Sequence, residues 1–262
     1  MRVLGLFVTA VLLMIPNVYG QQTRDEYLRK AYGRYQVADY SGAIAGFTEA
    51  IKLDAANWTA YYWRGTAKLK INDLDGSIAD FTKAIELNPN SSDSYNNRGM
   101  ARDRKNDLDG AISDYTKAID VAPTMVMAYS NRCDIRQRKG DLDGAIKDCT
   151  KALDIDSKDL ASYNNRANAR YMKRDFDGAI ADYTRAIEID PQLPQPFANR
   201  ATAKTYKADF NGAVIDFTKA IELRPNYALY YRRRGEAYTK LGKNDLALAD
   251  ETKASNLERP KN

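Results

Sequence analysis

The sequence predicts an all-α protein made of stacked helical hairpins, and three features of the 262-residue chain support this fold class. A short motif of the form Gly-Ala-Ile recurs at a constant spacing of 34 residues. Each period holds two segments with helical hydrophobic periodicity, separated by polar residues that favour a turn. Small residues and large aromatic residues also recur, each at fixed places within the period, as expected where helices pack closely. We therefore expect a repeat array whose core forms between neighbouring hairpins.

The 34-residue period extends from residue 24 to residue 261. Its marker begins at Gly42 and recurs until a degenerate seventh copy that starts at Leu246. The predicted repeats span residues 24–57, 58–91, 92–125, 126–159, 160–193, 194–227 and 228–261. One hairpin cannot bury both of its faces, so at least the internal repeats depend on their neighbours. The seventh repeat is expected to act as a cap, because Glu251 and Ser255 replace the aromatic residue and the isoleucine of other repeats.

Repeat 3 illustrates how each period is expected to fold. A first helix is predicted over Ser94–Arg104, and Asp107 is the predicted N-cap of a second helix over Leu108–Val121. Pro123 cannot continue that helix and ends it. The capping aspartate recurs once per period, at Asp39, Asp73, Asp107, Asp141, Asp175 and Asp209.

The repeated residues carry a family resemblance. Repeat 3 contains Tyr-Asn-Asn-Arg-Gly followed by Gly-Ala-Ile-Ser-Asp-Tyr-Thr-Lys-Ala-Ile, and the other repeats follow the same pattern. The chain thus resembles bacterial tetratricopeptide repeat (TPR) proteins, although Tyr or Phe stands at the fourth position of each repeat, where the family has Trp. The resemblance implies a right-handed superhelical solenoid whose first helices line a concave groove. In the family, that groove binds an extended peptide or a partner protein.

The composition lowers the expectation of enzyme chemistry. Histidine is absent and only two cysteines occur, which removes the commonest general base and leaves no ordinary zinc site. Neither a nucleophile elbow nor a glycine-rich phosphate loop is found. The 40 Lys and Arg residues face 35 Asp and Glu residues, with no long run of like charge. We expect a binding scaffold without a cofactor, a metal or a nucleic-acid partner; an enzyme and a pentatricopeptide-type nucleic-acid binder are the disfavoured alternatives.

Residues 1–20 have the layout of a secretory signal peptide. Arg2 gives a positive start, residues 3–15 are almost wholly apolar, and small residues precede the expected cleavage after Gly20. An apolar helix of that length reaches roughly 20 Å, which is short of the ~30 Å hydrocarbon core. The sequence therefore predicts export to the periplasm or beyond, with no membrane span after cleavage. An uncleaved N-terminal anchor is the alternative.

Two rows of basic residues run along the first helices. The seventh position holds Lys30, Arg64, Arg98, Arg132, Arg166, Arg200 and Arg234, and the eleventh holds Arg34, Lys68, Arg102, Arg136, Arg170 and Lys204. An aspartate row on the second helices consists of Asp80, Asp114, Asp148, Asp182, Asp216 and Asp250. In an antiparallel hairpin these rows lie close together, which predicts structural ion pairs; a binding track for polyanions is the alternative. Repeat 1 fits the first interpretation, because it has Gly46 in place of the aspartate and lysine in place of arginine.

The resemblance implies that ligand contacts come from the second, fifth, sixth, ninth, twelfth and thirteenth positions of the first helices. These positions vary between repeats, unlike the packing positions. The candidates are an aromatic cluster of Tyr32, Tyr35, Tyr62 and Trp63, then Arg104, Asp134, Gln137 and Arg138, and finally Asn164, Asn168, Tyr171, Asn199, Tyr206, Arg232 and Arg233. Aromatic residues and arginine are common anchors of binding surfaces. Alternatively, some of the tyrosines pack only against neighbouring hairpins, or one protomer docks into the groove of another.

A carboxylate clamp for a peptide C-terminus is a narrower possibility implied by the resemblance. Asn168, Asn199 and Arg233 match three of its five places, whereas Asn164 and Leu229 occupy the places of its two lysines.

The two cysteines both belong to repeat 4. Cys133 replaces the small residue at position 8 and Cys149 the aromatic residue at position 24, so both are expected to face the interior of one hairpin. An exported chain would join them in a disulfide. The alternative is a pair of buried, reduced thiols that act as small apolar fillers.

Overall fold

The structure is a computed structural model that describes residues 23–259. Regular secondary structure in this range is exclusively α-helical, so the predicted all-α repeat class is confirmed. The helices are α1 (23–36), α2 (Tyr40–Leu53), α3 (Trp58–Lys70), α4 (Leu74–Leu87), α5 (Ser92–Arg104), α6 (Leu108–Val121), α7 (Val126–Arg138), α8 (Leu142–Ile155), α9 (Leu160–Met172), α10 (Phe176–Ile189), α11 (Pro194–Tyr206), α12 (Phe210–Leu223), α13 (Ala228–Lys240) and α14 (Asn244–Glu258). The predicted signal peptide, residues 1–20, lies outside the described residues. None of the helices within 23–259 is both long and apolar enough to span a bilayer.

The chain divides into two compact units, and the boundary falls inside α7, between Ala128 and Tyr129. The first unit contains α1 to α6, and the second contains most of α7 and all later helices. Within each unit the second helix of a hairpin packs against its own first helix and against the first helix of the next hairpin, as α4 does with α3 and α5. Each unit is therefore a stack of hairpins.

An aspartate and a glycine together begin the second helices. In α4 the Asp73 carboxylate accepts a hydrogen bond from the Gly76 amide at 3.0 Å, which confirms the predicted cap. A Cβ at position 76 would lie 2.2 Å from Asp73 Oδ2, so the capping side chain occupies the space that a larger residue would need. Repeat 7 has neither the capping aspartate nor the glycine. Lys243 is its N-cap residue and forms no side-chain capping bond, and Leu246 replaces the glycine. The marker glycine of the repeat is thus explained by the cap.

The helix bounds of repeat 3 differ from the prediction at one end only. The second helix spans Leu108–Val121, as predicted. The first helix begins at Ser92 instead of Ser94, because the Ser91 hydroxyl accepts a hydrogen bond from the Ser94 amide at 3.3 Å and so caps the helix earlier.

In repeats 2 and 3 a glycine of the first helix packs against an aromatic ring of the second helix. A Cβ at Gly99 of α5 would lie 2.7 Å from the Tyr115 ring of α6, so that ring rests directly on the helix backbone. Gly65 and Phe81 make the same contact in repeat 2, at 3.1 Å. Burying such an aromatic side chain stabilises the folded chain by roughly 1.5–3 kcal/mol, and these rings are the largest members of the core.

Ion pairs between the two helices of a hairpin accompany this packing. Arg98 Nε and Nη2 donate to Asp114 Oδ2 and Oδ1 at 2.9 and 2.7 Å, and Arg102 Nη1 donates to Oδ2 at 2.8 Å. Asp114 is only 2% exposed. Corresponding pairs join Arg64 and Lys68 to Asp80, Arg132 and Arg136 to Asp148, Arg166 and Arg170 to Asp182, Arg200 and Lys204 to Asp216, and Arg234 to Asp250. The ion-pairing interpretation of the basic rows is confirmed in repeats 2 to 7.

A row of threonines, absent from the sequence predictions, extends five of these ion pairs to the preceding hairpin. Thr82 Oγ1 in α4 donates to the Ile78 carbonyl at 2.7 Å and accepts from Arg98 Nη1 in α5 at 3.1 Å. The same bond joins Thr48 to Arg64, Thr150 to Arg166, Thr184 to Arg200 and Thr218 to Arg234, at 2.9 to 3.2 Å. One guanidinium therefore ties together both helices of its hairpin and the helix before it.

Repeat 4 replaces the ring contact with a covalent bond. The Cys133 and Cys149 sulfur atoms form a disulfide with a Cα–Cα distance of 5.6 Å, and both residues are fully buried. The bond stands where Gly99 meets Tyr115 in repeat 3.

Replacing Asp114 with alanine should lower the free energy of unfolding by about 3 kcal/mol, because Arg98 and Arg102 would remain partly buried without a carboxylate. Urea unfolding followed by circular dichroism measures the change. Glu86→Ala, which removes the partner of Lys83 in an exposed pair, is the control and should have little effect. Equal losses for the two variants would contradict a structural role for the buried network.

Reduction of the disulfide should destabilise the protein by about 3 kcal/mol, the value expected for a closed loop of this length. The variant Cys133→Gly with Cys149→Tyr copies the Gly99–Tyr115 contact and should unfold at the same temperature with and without reductant. Cys133→Ala with Cys149→Ala should resemble the reduced protein. A wild-type melting temperature that is insensitive to reductant would contradict this prediction.

Candidate binding surfaces

The four aromatic candidates of the first unit form one cluster around Trp63. The Trp63 ring centroid lies 4.8 Å from that of Tyr32, 5.4 Å from Tyr35 and 5.2 Å from Tyr62, each in an edge-to-face arrangement. Only Tyr32 is exposed, and the other three are partly buried. The cluster therefore packs α1 against α3 and presents one tyrosine ring to solvent.

The polar contacts of this cluster lead towards α5. Asn97 Nδ2 donates to the Tyr62 hydroxyl at 3.3 Å, and burial raises the pKa of Tyr62, so the phenol is neutral at physiological pH. Arg104 Nη1 donates to the Leu69 carbonyl at 3.1 Å, near the end of α3. The Arg104 guanidinium thus joins two first helices in addition to lining their surface.

In the second unit, Tyr206 forms an exposed aromatic stack. Its ring lies parallel to that of Phe176, with an interplanar angle of 12° and centroids 5.1 Å apart, and Tyr171 meets both rings edge-on. Tyr206 is 61% exposed, although it is held on two sides. A cleft of about 410 Å³ opens beside it, lined by Tyr171, Thr202, Thr205, Tyr206, Phe210, Phe217, Arg233, Glu236 and Lys240.

A smaller hollow of about 150 Å³ adjoins this cleft and shares Tyr171 and Thr202 with it. Its polar lining centres on Asn168, whose Oδ1 accepts from the Tyr183 hydroxyl at 2.6 Å and from Asn199 Nδ2 at 3.4 Å. The Asn199 Oδ1 in turn accepts from Gln195 Nε2 at 2.9 Å. The amide groups are therefore held in fixed orientations before any ligand arrives.

Burial controls the state of the phenols in the cleft. It raises the pKa of Tyr171 to about 12, with a further contribution from the hydrogen bond to Tyr206, and it also raises the pKa of Tyr183. Both hydroxyls are neutral at physiological pH and can offer hydrogen bonds, but they are poor general bases. Arg233 Nη1 contacts Glu236 at 2.9 Å, which leaves a mixed rim of two cations and one carboxylate. The described residues contain no group of three His, Cys, Asp or Glu side chains that could hold a metal ion.

Five of the predicted residues of this unit lie on the cleft or the hollow: Asn168, Tyr171, Asn199, Tyr206 and Arg233. The other candidates of the unit line neither of them. Asp134 and Arg138 pair with each other on α7 at 3.4 Å, and Gln137 is partly buried beside them. Arg232 Nη2 donates to Glu258 on α14 at 2.8 Å, and Asn164 lies elsewhere on α9.

The geometry also bears on the carboxylate clamp. Asn168 and Asn199 are adjacent and Arg233 lines the neighbouring cleft, whereas Asn164 and the exposed Leu229 offer no ammonium group at the two lysine places. An amide pair and one guanidinium are thus available to a ligand.

The lining residues missed by sequence reasoning carried a weak signal. Thr202, Thr205, Glu236 and Lys240 occupy the ninth, twelfth or thirteenth position of a first helix, which are contact positions. Their side chains alone do not distinguish them from the other variable residues of the first helices. Phe210 begins a second helix, and no feature of the repeat pattern marks it as a cleft residue.

Comparisons with known proteins agree with this architecture. Solved structures that share the fold include a tetratricopeptide repeat protein from Parabacteroides merdae, which is 19% identical and aligns over 92% of this chain and 95% of its own, with a TM-score of 0.69. PilF of Pseudomonas aeruginosa is 15% identical over 83% of this chain and 99% of its own, with a TM-score of 0.72. YrrB, a TPR protein with an unusual peptide-binding site, is 20% identical over 70% of this chain and 95% of its own, with a TM-score of 0.61. No curated protein matches the sequence.

Structural similarity at these low sequence identities shows the fold alone, whereas family models identify the type of repeat. Three models described as tetratricopeptide repeats match residues 28–92, 81–113 and 161–193. The matches fall in both units and lie inside the array of 34-residue repeats, residues 24–261. Tetratricopeptide repeats are therefore recognised in both units of the chain.

Proposed function

We propose that this protein is an exported, non-catalytic scaffold that binds an extended segment of a partner protein on the surface of its first helices. The observation that carries the proposal is the exposed Tyr206 ring, held by Phe176 and Tyr171 at the edge of a cleft that also offers amide and guanidinium groups. TPR proteins generally bind protein or peptide partners, and YrrB has a peptide-binding site by its description.

The chemistry of the cleft suits a peptide better than a small polar metabolite. The rings of Tyr171, Phe210 and Phe217 give an apolar lining for one large side chain. The polar groups beside it, on Asn199 and Arg233, can bond to backbone carbonyls or to a carboxylate. Because Tyr206 is already held by two rings, binding would cost little of its side-chain entropy.

Export is the second part of the proposal. The apolar leader over residues 1–20 supports it, and so does the buried disulfide, since structural disulfides are typical of oxidising compartments. A scaffold in such a compartment would meet periplasmic or extracellular partners.

The binding surface can be tested with matched variants in a pull-down from the native extracytoplasmic fraction. Tyr171→Ala with Tyr206→Ala should reduce recovery of the main partner by about tenfold or more, because truncation of central aromatic anchors commonly costs 2 kcal/mol or more. Ile215→Ala, on an exposed part of α12 away from the cleft, is the control. Tyr32→Ala, which truncates the exposed member of the aromatic cluster around Trp63, tests the first unit separately. Unchanged recovery of every partner by the cleft variant would exclude the cleft as the principal contact.

The location and the redox state can be tested on protein isolated from its native cells. We expect a mature N-terminus at Gln21 and no thiol that reacts with an alkylating agent before reduction. Intact-mass measurement after alkylation, with and without reductant, determines both the N-terminus and the number of free thiols. Retention of residues 1–20 together with two reactive thiols would contradict export.

A further inference from the structure

The first hairpin has a cleft on its exposed face, and it lacks the buried aspartate that the later hairpins have at the equivalent place. The cleft has a volume of about 510 Å³ and lies between α1 and α2, lined by Tyr27, Lys30, Ala31, Gly33, Arg34, Val37, Gly42, Ala45, Gly46 and Glu49. No helix precedes α1 within the described residues. Position 23 of the repeat, which is Gly46 here, is the place where later hairpins have their buried aspartate.

The next hairpin shows what normally occupies this place. In repeat 2 the Asp80 carboxylate accepts bonds from Arg64 at 2.6 and 2.9 Å and contacts Lys68 at 2.8 Å. The preceding second helix, α2, packs against α3 on this side and supplies Thr48 to Arg64. A complete joint therefore contains one carboxylate between two cations, with a helix laid across the first helix.

Repeat 1 retains the two cations of this joint without the buried carboxylate. The Lys30 and Arg34 side chains are 64% and 57% exposed, whereas those of Arg64 and Lys68 are 17% and 19% exposed. Among the described residues, Lys30 forms an ion pair with the exposed Glu26 of its own helix. Arg34 reaches Asp39 at 3.9 Å and the Gly42 carbonyl at 3.4 Å. Such exposed contacts are weak, because solvent screens both partners.

The hairpin cannot supply the missing carboxylate from position 46. A Cβ added at Gly46 would lie 2.8 Å from Ala31 Cβ. In repeat 2, where the glycine and the larger residue have exchanged places, a Cβ added at Gly65 would lie 3.1 Å from Asp80 Cβ. The two helices of repeat 1 would have to separate to accept an aspartate. With Ala31 in place, position 46 supplies no carboxylate to Lys30 and Arg34, and the carboxylate proposed below comes from another molecule.

We propose that this face binds an amphipathic helix of a partner protein and that an Asp or Glu of that helix inserts between Lys30 and Arg34. The helical form follows from the internal joints, where a second helix covers the equivalent face. Tyr27 and Val37, both exposed on the rim, provide apolar contacts for such a helix. A docked helix would also exclude water from the two cations, which strengthens the ion pair with the inserted carboxylate.

The remaining charge of the cleft favours a single carboxylate over a polyanion. Glu49 also lines the cleft and contacts Lys52 at 2.7 Å. A ligand with several adjacent negative charges would meet this glutamate, whereas one inserted carboxylate can stay beside Lys30 and Arg34. This site is independent of the Tyr206 cleft, so the two can be tested separately.

The experiment uses fluorescence anisotropy with the purified full chain and a helical probe. The probe copies α4, Leu74–Leu87, with glutamate in place of Thr82, the residue that faces the arginine of the next hairpin. A covalent link across one turn keeps the peptide helical, because isolated helices of this length are marginal. The comparison peptide has glutamine at the same place. We expect the glutamate peptide to bind about tenfold more tightly than the glutamine peptide.

Three variants locate the probe. Lys30→Ala with Arg34→Ala should remove the difference between the two peptides. Ala31→Gly with Gly46→Asp copies the Gly65–Asp80 arrangement of repeat 2 and should abolish binding of the glutamate peptide by filling the cleft. Lys219→Ala removes an exposed cation of α12 and should leave binding unchanged. Circular dichroism verifies folding, and the lysine–arginine variant carries the test if the glycine–aspartate variant unfolds.

Several results would overturn the proposal. Equal binding of the glutamate and glutamine peptides would show that no carboxylate is recognised. Binding that survives both cleft variants would place the probe elsewhere. Self-association of the full chain in sedimentation velocity, lost in Lys30→Ala with Arg34→Ala, would assign this face to a second copy instead of a partner helix.

Discussion

The buried aspartate at position 23 is the constraint on which the rest of the stack depends. Removing a carboxylate from water costs several kcal/mol unless nearly all of its hydrogen-bonding capacity is satisfied. Asp114 meets this condition through two bonds from Arg98 and one from Arg102. The bidentate bond explains why position 7 holds arginine in repeats 2 to 7, since a planar guanidinium can bond to both oxygens and still reach a third partner. The position-11 side chain contacts this aspartate through a single nitrogen, and repeats 2 to 6 have lysine or arginine there.

The network has a direction along the chain. In repeat 2, Arg64 bonds to Thr48 of the preceding hairpin, so the network serves the joint on its N-terminal side. Repeat 7 has a preceding hairpin, and it keeps Arg234 with Asp250 although it has lost its Asp–Gly cap. Repeat 1 has no preceding hairpin among the described residues, and there the aspartate is missing. Among the described residues, the aspartate is thus present in the repeats that follow another hairpin.

Local rules allowed much of the fold to be predicted from the sequence. The capping bond of Asp107 is formed three residues along the chain, and the packing rows recur with a fixed period, so both leave a readable pattern. The threonine row was missed because its partner lies on another helix and threonine has no special role within a helix. The cleft was predicted only in part for a similar reason. Which variable positions converge depends on how α9, α11 and α13 pack, and this brings Thr202 to Tyr206 but turns Arg232 towards α14.

Exposure separates aromatic residues that look equivalent in the sequence. Trp63 and Tyr206 both occupy variable positions of first helices, yet Trp63 lies among three tyrosine rings and helps to hold α1 on α3. A loss of binding after substitution of Trp63 would therefore combine altered folding with a lost contact. Tyr206 has most of its surface in solvent and rests on Phe176 and Tyr171 without closing a hairpin. Substitution of Tyr206 should therefore cost little stability, so a loss of binding in its variants would report the proposed contact itself.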